Sequence, residues 1–552
     1  MNKYKKRLFG IGLGVVLVVA VFFRFFQFPT VPPSLNWDEV AFGYNAYSIL
    51  KTGKDEYGTF LPLYFRSLDD YKLPVYTYLT AGSIALLGYN DFAVRFSSAF
   101  LGVITVVLVG ILTWKLFGNR WIALMASGML GILPWHIQFS RMAAEANVGL
   151  FFLVLGATLF VYGIKKRHWL CLASVIAFGL STYSYLSFRI VAPLVGLLII
   201  ILYRKEVFFL GKKYRIGLAI LAALFGMLLI RDTFFNSVHI RLKATSVFNT
   251  KEAQDIFEHK QAEMFYDAKL GINLTRRAFH DTTFFTSADI ILRAYLTHFS
   301  PTFLFFDYDQ KQHHTPFVGL CYIFMLPFIP VGLYYLVRKY RKREILFIIG
   351  WLLIAPIPAS VTWDIPHAIR VYGMVIPLVM ITSIGIYYVY FLLKDKKNIV
   401  VLYCIVVSFL AVLSSYYYLH QYMIHLPVER SRDWVYGRKE LTNYLESNKQ
   451  KYERIIISTR LEWPHIFLLY YSKYDPGAYL KQGGTVSGSW SEEGNKYDTY
   501  EFHKFRAEDL RAPRTLFVGT PDEFIKTVIP MRTIYNLDGT PVLYIAEGDG
   551  KP

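Results

Sequence analysis

Apolar runs of about 20 residues, separated by short basic tracts, constrain this chain more than any other feature. They fall at 8–28, 92–114, 121–139, 147–164, 169–187, 190–203, 216–230, 317–337, 345–362, 371–393 and 398–419. A helix rises about 1.5 Å per residue, so a run of that length matches the roughly 30 Å hydrocarbon core of a bilayer. With 54% of its 552 residues hydrophobic, the chain is expected to fold as a polytopic α-helical membrane protein. Its formal charge of +19 does not point to nucleic acid, because the cations cluster between the apolar runs as in cytoplasmic loops. Cys171, Cys321 and Cys404 all lie inside apolar runs, which argues against a disulfide framework.

A twelfth candidate, 73–88, decides the orientation of every later span. If it does not cross, the tracts Lys165 to Arg167, Arg204 to Arg215, Arg338 to Arg343 and Lys394 to Lys397 share one side with Lys3, Lys5, Lys6 and Arg7. The positive-inside rule selects that arrangement, and about 16 residues suit an interfacial or re-entrant helix better than a span. About eleven transmembrane helices result, with the N-terminus cytoplasmic. The first run is longer than a signal-peptide core and no small-residue cleavage site follows, so it is read as an uncleaved anchor. The external surface then comprises loop 29–91, the turns near Arg141 to Asn147, Tyr185 to Arg189 and Trp363 to Arg370, loop 231–316, and everything after His420. Loop 231–316 is long enough to carry short helices of its own; it also holds the glycosylation triplet Asn273-Leu274-Thr275.

From about Gln421 the composition turns soluble. Helices are expected at 438–448, 464–473 and 522–528, strands at 454–458 and 515–519, and a hairpin over 531–545 turning at Asp538-Gly539. That alternation predicts a C-terminal extracytoplasmic α/β domain, 421–552, after a membrane domain, 1–420. Neither a GxGxxG stretch nor a P-loop occurs, so no nucleotide is assigned.

The middles of the spans carry almost no ionisable residues; Arg24, Arg95 and Glu344 lie near span ends. An ion-coupled transporter needs charge or broken helices near the midplane, so chemistry is expected at the outer surface instead. The leading candidate is Asn36-Trp37-Asp38-Glu39, just beyond the first span. Neighbouring helical residues point about 100° apart, so Asp38 and Glu39 are expected to have different tasks. The plainer account of Asp38 is that it caps the helix reading from Val40 to Leu50. Asp69-Asp70-Tyr71-Lys72-Leu73-Pro74 opens the interfacial helix. His136, Arg141 and Glu145 gather at the end of the third span, where Arg141 and Glu145 could equally form a local i,i+4 pair and His136 an interfacial core residue. His367 and Arg370 begin the tenth span, where snorkelling to head groups is the plainer role for Arg370. No His/Cys spacing amounts to a zinc site.

In order and topology these elements resemble the GT-C glycosyltransferases, specifically the protein O-mannosyltransferase and aminoarabinose-transferase superfamily, over about 30–420. The resemblance rests on Trp37-Asp38-Glu39, Lys72-Leu73-Pro74, Leu133-Pro134-Trp135-His136 to Glu145, His298 to Phe306, and Pro366 to Arg370. It implies a GT-C-like membrane domain, a catalytic carboxylate at Asp38, a polyprenyl-phosphate sugar donor with Lys72 near its phosphate, and inversion at the anomeric carbon. Lys-Leu-Pro stands where relatives carry Lys-Pro-Pro or His-Pro-Pro. Tyr71 stands where one relative has Glu, so a metal site built on that Glu has no counterpart here. No cofactor is assigned and a divalent metal is left open.

On this reading Asp38 is the general base, and Lys72 with Arg141 or Arg370 neutralises the leaving phosphate. Glu39 and Asp70 meet sugar hydroxyls or support Asp38, and His136, Glu145 and His367 complete the substrate-binding set. The partners are the lipid-phosphate donor, membrane lipid, and an acceptor protein or glycan. A lipid-linked glycan flippase is the alternative and would need a polar path through the bundle. A membrane-anchored binding protein is a third reading and predicts no role for Asp38.

Overall fold

The computed structural model describes residues 3–68, 70–235, 245–272, 280, 284–306, 312–488, 493–506, 509–524 and 529–548. Among them, seven helices are long and apolar enough to cross a membrane: Arg7–Phe25, Asp91–Phe117, Glu145–Lys166, Lys212–Asp232, Lys342–Ser360, Tyr372–Leu393 and Lys397–Glu429. The pair Arg120–Ile132 and Pro134–Arg141, bent by 55°, makes an eighth if it is one span. The bend has a local cause. Pro134 has no N–H to donate and disfavours helical geometry at the residue before it, and Leu133 is extended.

The expected count of eleven is not confirmed. The runs at 169–187 and 190–203 form helices Trp169–Thr182 and Phe188–Leu202, of 14 and 15 residues, which rise only about 21–23 Å. The run at 317–337 is interrupted at Pro327, giving a short turn Ile323–Met325 and then a helix Phe328–Lys339. The twelfth candidate is itself short, a 14-residue helix Pro74–Leu87 with Pro at its first turn. The long connection carries helices Lys251–Lys269 and Phe285–Thr297 and a wide turn Thr302–Phe306. Its glycosylation triplet lies outside the described residues.

The chain gathers into two compact units. The first comprises 1–24, 101–139 and 146–418 and is a helical bundle. Its tightest helix contact depends on glycine. A Cβ on Gly332 would lie 1.9 Å from the Ile381 carbonyl oxygen, and one on Gly385 would lie 2.1 Å from that of Phe328. Small residues thus bring two helix backbones together, as membrane helix packing favours.

The second unit comprises 25–100, 140–145 and 419–552. The chain enters it at the end of α1 (Lys3–Phe25), and α2 (Trp37–Thr52), α3 (Pro74–Leu87) and the start of α4 (Asp91–Phe117) follow. Between α2 and α3 a hairpin forms from β1 (Phe65–Ser67) and β2 (Asp70–Lys72). The C-terminal part holds β3 (Arg454–Ile457), β4 (Lys496–Tyr497), β5 (Tyr500–Phe502), β6 (Thr515–Gly519), β7 (Arg532–Tyr535) and β8 (Pro541–Glu547). They pair in the order β4-β5-β3-β6-β8-β7, with β3 parallel to β5 and β6 and the other pairs antiparallel. Central β6 is buried along its whole length, as an apolar run covered on both faces should be. The hairpin turns at Asp538-Gly539, where Gly539 has φ +82°. Of the helix expected at 522–528, a short turn Pro521–Glu523 is present, and 525–528 lie outside the described residues.

A buried polar node joins the first loop of this unit to its C-terminal part. Glu56 accepts from Asn45 Nδ2 at 2.8 Å and from Thr485 Oγ1 at 2.8 Å, and its carbonyl accepts from the Thr485 N–H at 3.0 Å. His465 Nε2 stands 3.6 Å from the same carboxylate. Next to it, Asp55 is buried and takes the Tyr57 and Thr59 N–H groups on one oxygen. Burial pushes its carboxyl from 3.8 to about 6, reinforced by the charge of Glu56 and opposed by those two hydrogen bonds. A carboxyl raised in the native state holds its proton more tightly there than in the unfolded chain. Its contribution to stability is therefore complete below about pH 4 and is lost as pH rises through 6. Asp55→Asn keeps the accepting oxygen and removes the titration. We expect thermal unfolding scans of the variant between pH 4 and 7 to lack the decline seen in wild type; parallel profiles would refute this account of Asp55.

Candidate active site

The site is built on the first turn of α2. Asn36 caps this helix: its side chain accepts from the Glu39 N–H at 2.9 Å while the Glu39 carboxylate accepts from the Asn36 N–H at 3.0 Å. This reciprocal capping box satisfies two of the helix's orphan donors. The plainer account weighed for Asp38, that it caps this helix, does not hold; the cap lies two residues earlier. Asp38 sits in the first turn, where a carboxylate complements the positive end of the helix.

Asp38 and Glu39 have opposite surroundings. Glu39 is fully buried and grips Arg95 with both oxygens, Nε–Oε1 2.8 Å and Nη2–Oε2 2.8 Å. It also accepts from the Ala143 N–H at 2.7 Å. With the Asn36 N–H that makes four donors on two oxygens, which exhausts the carboxylate. Of the two tasks weighed for Glu39, sugar hydroxyls or support of Asp38, these surroundings suit the second. Arg95 completes the brace through the carbonyls of Pro32 at 3.0 Å and Ser34 at 2.5 Å.

Asp38 is 39% exposed and pairs with Lys72 Nζ at 2.8 Å, a lysine itself only 10% exposed. Lys72 reaches that position from the end of β2, opposite Phe65 in the hairpin. Asp70 stands opposite Ser67 in the same hairpin; its side chain lies outside the described residues. Trp37, beside Asp38, packs against Trp463 with ring centroids 5.7 Å apart.

The remaining expected site residues divide between the units. Arg141, in the second, is fully buried, donates to the Val31 carbonyl at 2.9 Å and lies 5.1 Å from the Tyr422 ring. It braces the proline-rich exit from the first span. Glu145 opens the helix Glu145–Lys166. In the first unit, His136 is fully buried, 2.5 Å from the Arg24 guanidinium and stacked on Tyr372, which is the core role weighed for it. His367 packs on the His313 ring at 5.0 Å, with an Asp364 oxygen 3.8 Å away. Arg370 donates to Thr362 Oγ1 at 2.9 Å and to the Trp363 carbonyl. Among the described residues no group of three or more His, Cys, Asp or Glu is placed to hold a metal ion.

The sequence reading missed Arg95 as a functional residue. The signal was present: a cation at the fourth position of an apolar run demands a partner, and Glu39 stands outside the neighbouring span. The β1–β2 hairpin that presents Lys72 was missed as well, because three-residue strands leave no usable periodicity.

Residues 15–241 match the family model described as dolichyl-phosphate-mannose-protein mannosyltransferase. ArnT from Cupriavidus metallidurans, solved bound to undecaprenyl phosphate, superposes with TM-score 0.54 at 11% identity, over 100% of both chains. Its apo form gives 0.52 at 11% identity, over 98% of this chain and 97% of that one. The apo oligosaccharyltransferase of Archaeoglobus fulgidus gives 0.51 at 13% identity and aligns with 86% of this chain, which spans 64% of that longer protein. No curated protein is a significant match. The fold is that of the GT-C transferases, as the resemblance implied.

The two carboxylates should respond differently to substitution. Removing one partner of a buried, saturated ion pair costs about 3–5 kcal/mol, so Arg95→Ala should lower the unfolding temperature sharply. Asp38→Asn keeps the size of a half-exposed side chain and should cost less than about 1 kcal/mol. Thermal unfolding of both variants in detergent checks this; equal losses would mean that Asp38 is also structural.

Proposed function

We propose that this protein is an integral-membrane glycosyltransferase that moves a sugar from a polyprenyl-phosphate donor to an acceptor hydroxyl on the extracytoplasmic side of the membrane. The observation that carries the reading is the Asp38–Lys72 pair. One carboxylate is left accessible at the outer end of the first span, beside a shielded ammonium, while its neighbour is wholly consumed by structure. The matched family and the GT-C structures support the reaction class, and none of them lends support to the flippase alternative.

The chemistry needs little else. The acceptor oxygen attacks the anomeric carbon, its proton passes to the Asp38 carboxylate, and the bond from that carbon to the phosphate oxygen breaks. The departing phosphate carries the bond's electron pair and meets the Lys72 ammonium through a charge-assisted hydrogen bond. Phosphate arrival must loosen the Asp38–Lys72 contact, which exchanges one anionic partner of the lysine for another. Glu39 and Arg95 act through position alone, aiming the first turn of α2. Residues 1–420 form the membrane transferase part and 421–552 the extracytoplasmic α/β part, with the N-terminus cytoplasmic.

Asp38→Asn should lower turnover by about 100-fold or more, the scale of a lost general base, while unfolding stays near wild type. Lys72→Ala should lower turnover by a similar factor, the scale of a lost electrostatic stabiliser. Transfer from a synthetic polyprenyl-phosphate sugar in lipid nanodiscs, with unfolding followed on the same samples, measures both. Wild-type turnover in Asp38→Asn would end the general-base assignment. Orientation is tested separately in a cysteine-free background. Thr540→Cys should react with an impermeant thiol reagent from outside and Lys166→Cys should not; the reverse pattern would invert the membrane map.

A further inference from the structure

Two adjoining cavities in the second unit have no part in the transfer step. One, of about 600 Å³, is lined by Tyr89, Asn90, Tyr470 and Lys473 among others; the second, of about 490 Å³, is lined by Ser34, Leu35, Tyr436 and Asn443 among others. Pro29, Asp91, Lys439 and Tyr471 line both, so they are halves of one groove. Each half lies within the roughly 300–1,000 Å³ of ligand pockets. Pro29 follows the end of α1 and Asp91 begins α4, which sets the groove where two spans leave the apolar layer. Ser34 and Leu35 precede the cap of α2, so one end of the groove borders the element that carries Asp38.

We propose that this groove binds a neutral oligosaccharide, the glycan portion of the acceptor, a proposal that rests on the glycosyltransferase reading. Three part-exposed tyrosines, Tyr89, Tyr436 and Tyr471, supply apolar ring faces, the last two with their hydroxyls, the amphipathic surface that suits a ligand with C–H faces and hydroxyl edges, while Tyr470 is buried. Asp91, Asn90 and Asn443 add acceptors and donors suited to vicinal hydroxyls. Asp91 is held in place by Tyr470 at 3.1 Å and Lys439 at 3.0 Å.

The charge balance argues against a phosphate ligand. Of the three lining cations, Arg95 is committed to Glu39 and Lys439 to Asp91, which leaves the exposed Lys473. The lining carboxylate Glu440 is matched by Arg532 at 2.7 Å. A site built for an anion gathers several unmatched cations; here a single lysine stands beside tyrosine and amide surface.

The test is saturation-transfer NMR on the full chain in phospholipid nanodiscs, since glucoside and maltoside detergents would compete. The probes are mannotriose, maltotriose and N,N′,N″-triacetylchitotriose. Wild type should show transfer to at least one of them. Asn443→Trp, at an exposed helical position on the groove wall, should reduce that signal at least 5-fold with unchanged thermal unfolding, and Tyr471→Ala should do the same. Absence of transfer to all three probes in folded wild type overturns the proposal, as does an unchanged signal in Asn443→Trp. So does a result in which wild type retains phosphatidylglycerol but no sugar, and Lys439→Ala with Lys473→Ala releases that lipid. Sugar transfer from the lipid-phosphate donor is measured on the same samples. Probe binding without transfer upholds the groove and defeats the functional reading; transfer without probe binding defeats the groove alone.

Discussion

The buried pair between Glu39 and Arg95 is the interaction on which the rest of the candidate site depends. Taking both charges out of water costs several kcal/mol per ion and is repaid only when every remaining donor and lone pair finds a partner. Here both carboxylate oxygens of Glu39 and four of the five N–H groups of Arg95 are taken. Glu39 receives the cap of α2, the backbone at Ala143 and two guanidinium nitrogens, while Arg95 gathers the carbonyls of Pro32 and Ser34. The exit from the first span, the start of α2, the start of α4 and the turn at 140–145 are thereby locked to one point. Satisfaction of all partners at once is what fixes the direction in which α2 leaves the membrane surface.

Asp38 acquires its character from that lock. A helix turns about 100° per residue, so once Glu39 faces inward its predecessor is turned away and remains accessible. Exchanging the two residues would bury the wrong carboxylate length and leave Arg95 without its two-pronged partner. Lys72 comes from elsewhere in the chain, carried on a three-residue strand whose hairpin partner sets its register. The pair thus joins a helix terminus to a hairpin, two rigid supports for two short polar side chains. Such placement on regular elements is what a site needs if a proton and a leaving group are to be handled at fixed positions.

The soluble sheet also contributes to that rigidity. Glu56 and Asp91 lie between α2 and β1 and at the start of α4, yet their partners Thr485, His465, Tyr470 and Lys439 belong to the C-terminal part. In this unit the loop and the sheet domain are one packed body, so C-terminal substitutions could alter the loop without approaching the reacting atoms. The GT-C fold by itself does not name a substrate, because one fold hosts many chemistries; the specific content lies in the accessible Asp38, the shielded Lys72 and the tyrosine-lined groove.

Much of this was legible before any coordinates. Apolar runs of membrane length, basic tracts between them and two carboxylates beyond the first span follow from local sequence, because hydropathy and charge act over a single element. The sheet strands at 454–457 and 515–519 and the turn at Asp538-Gly539 were legible for the same reason: β-branched runs and a Gly able to adopt positive φ are local signals. What local signals could not supply was pairing. That Glu39 belongs to Arg95 and that Arg141 and His136 brace the chain are decided by residues 56 to 112 positions away; the cap at Asn36, with Glu39 three residues on, was a local signal passed over. The count of eleven spans is not confirmed, because hydropathy averages over a run while a single proline such as Pro134 or Pro327 breaks it. Sequence by itself determined that this is a membrane protein with two carboxylates beyond its first span; only tertiary structure decided which of them is buried and which stays exposed, since desolvation and ion pairing exist only once distant segments meet.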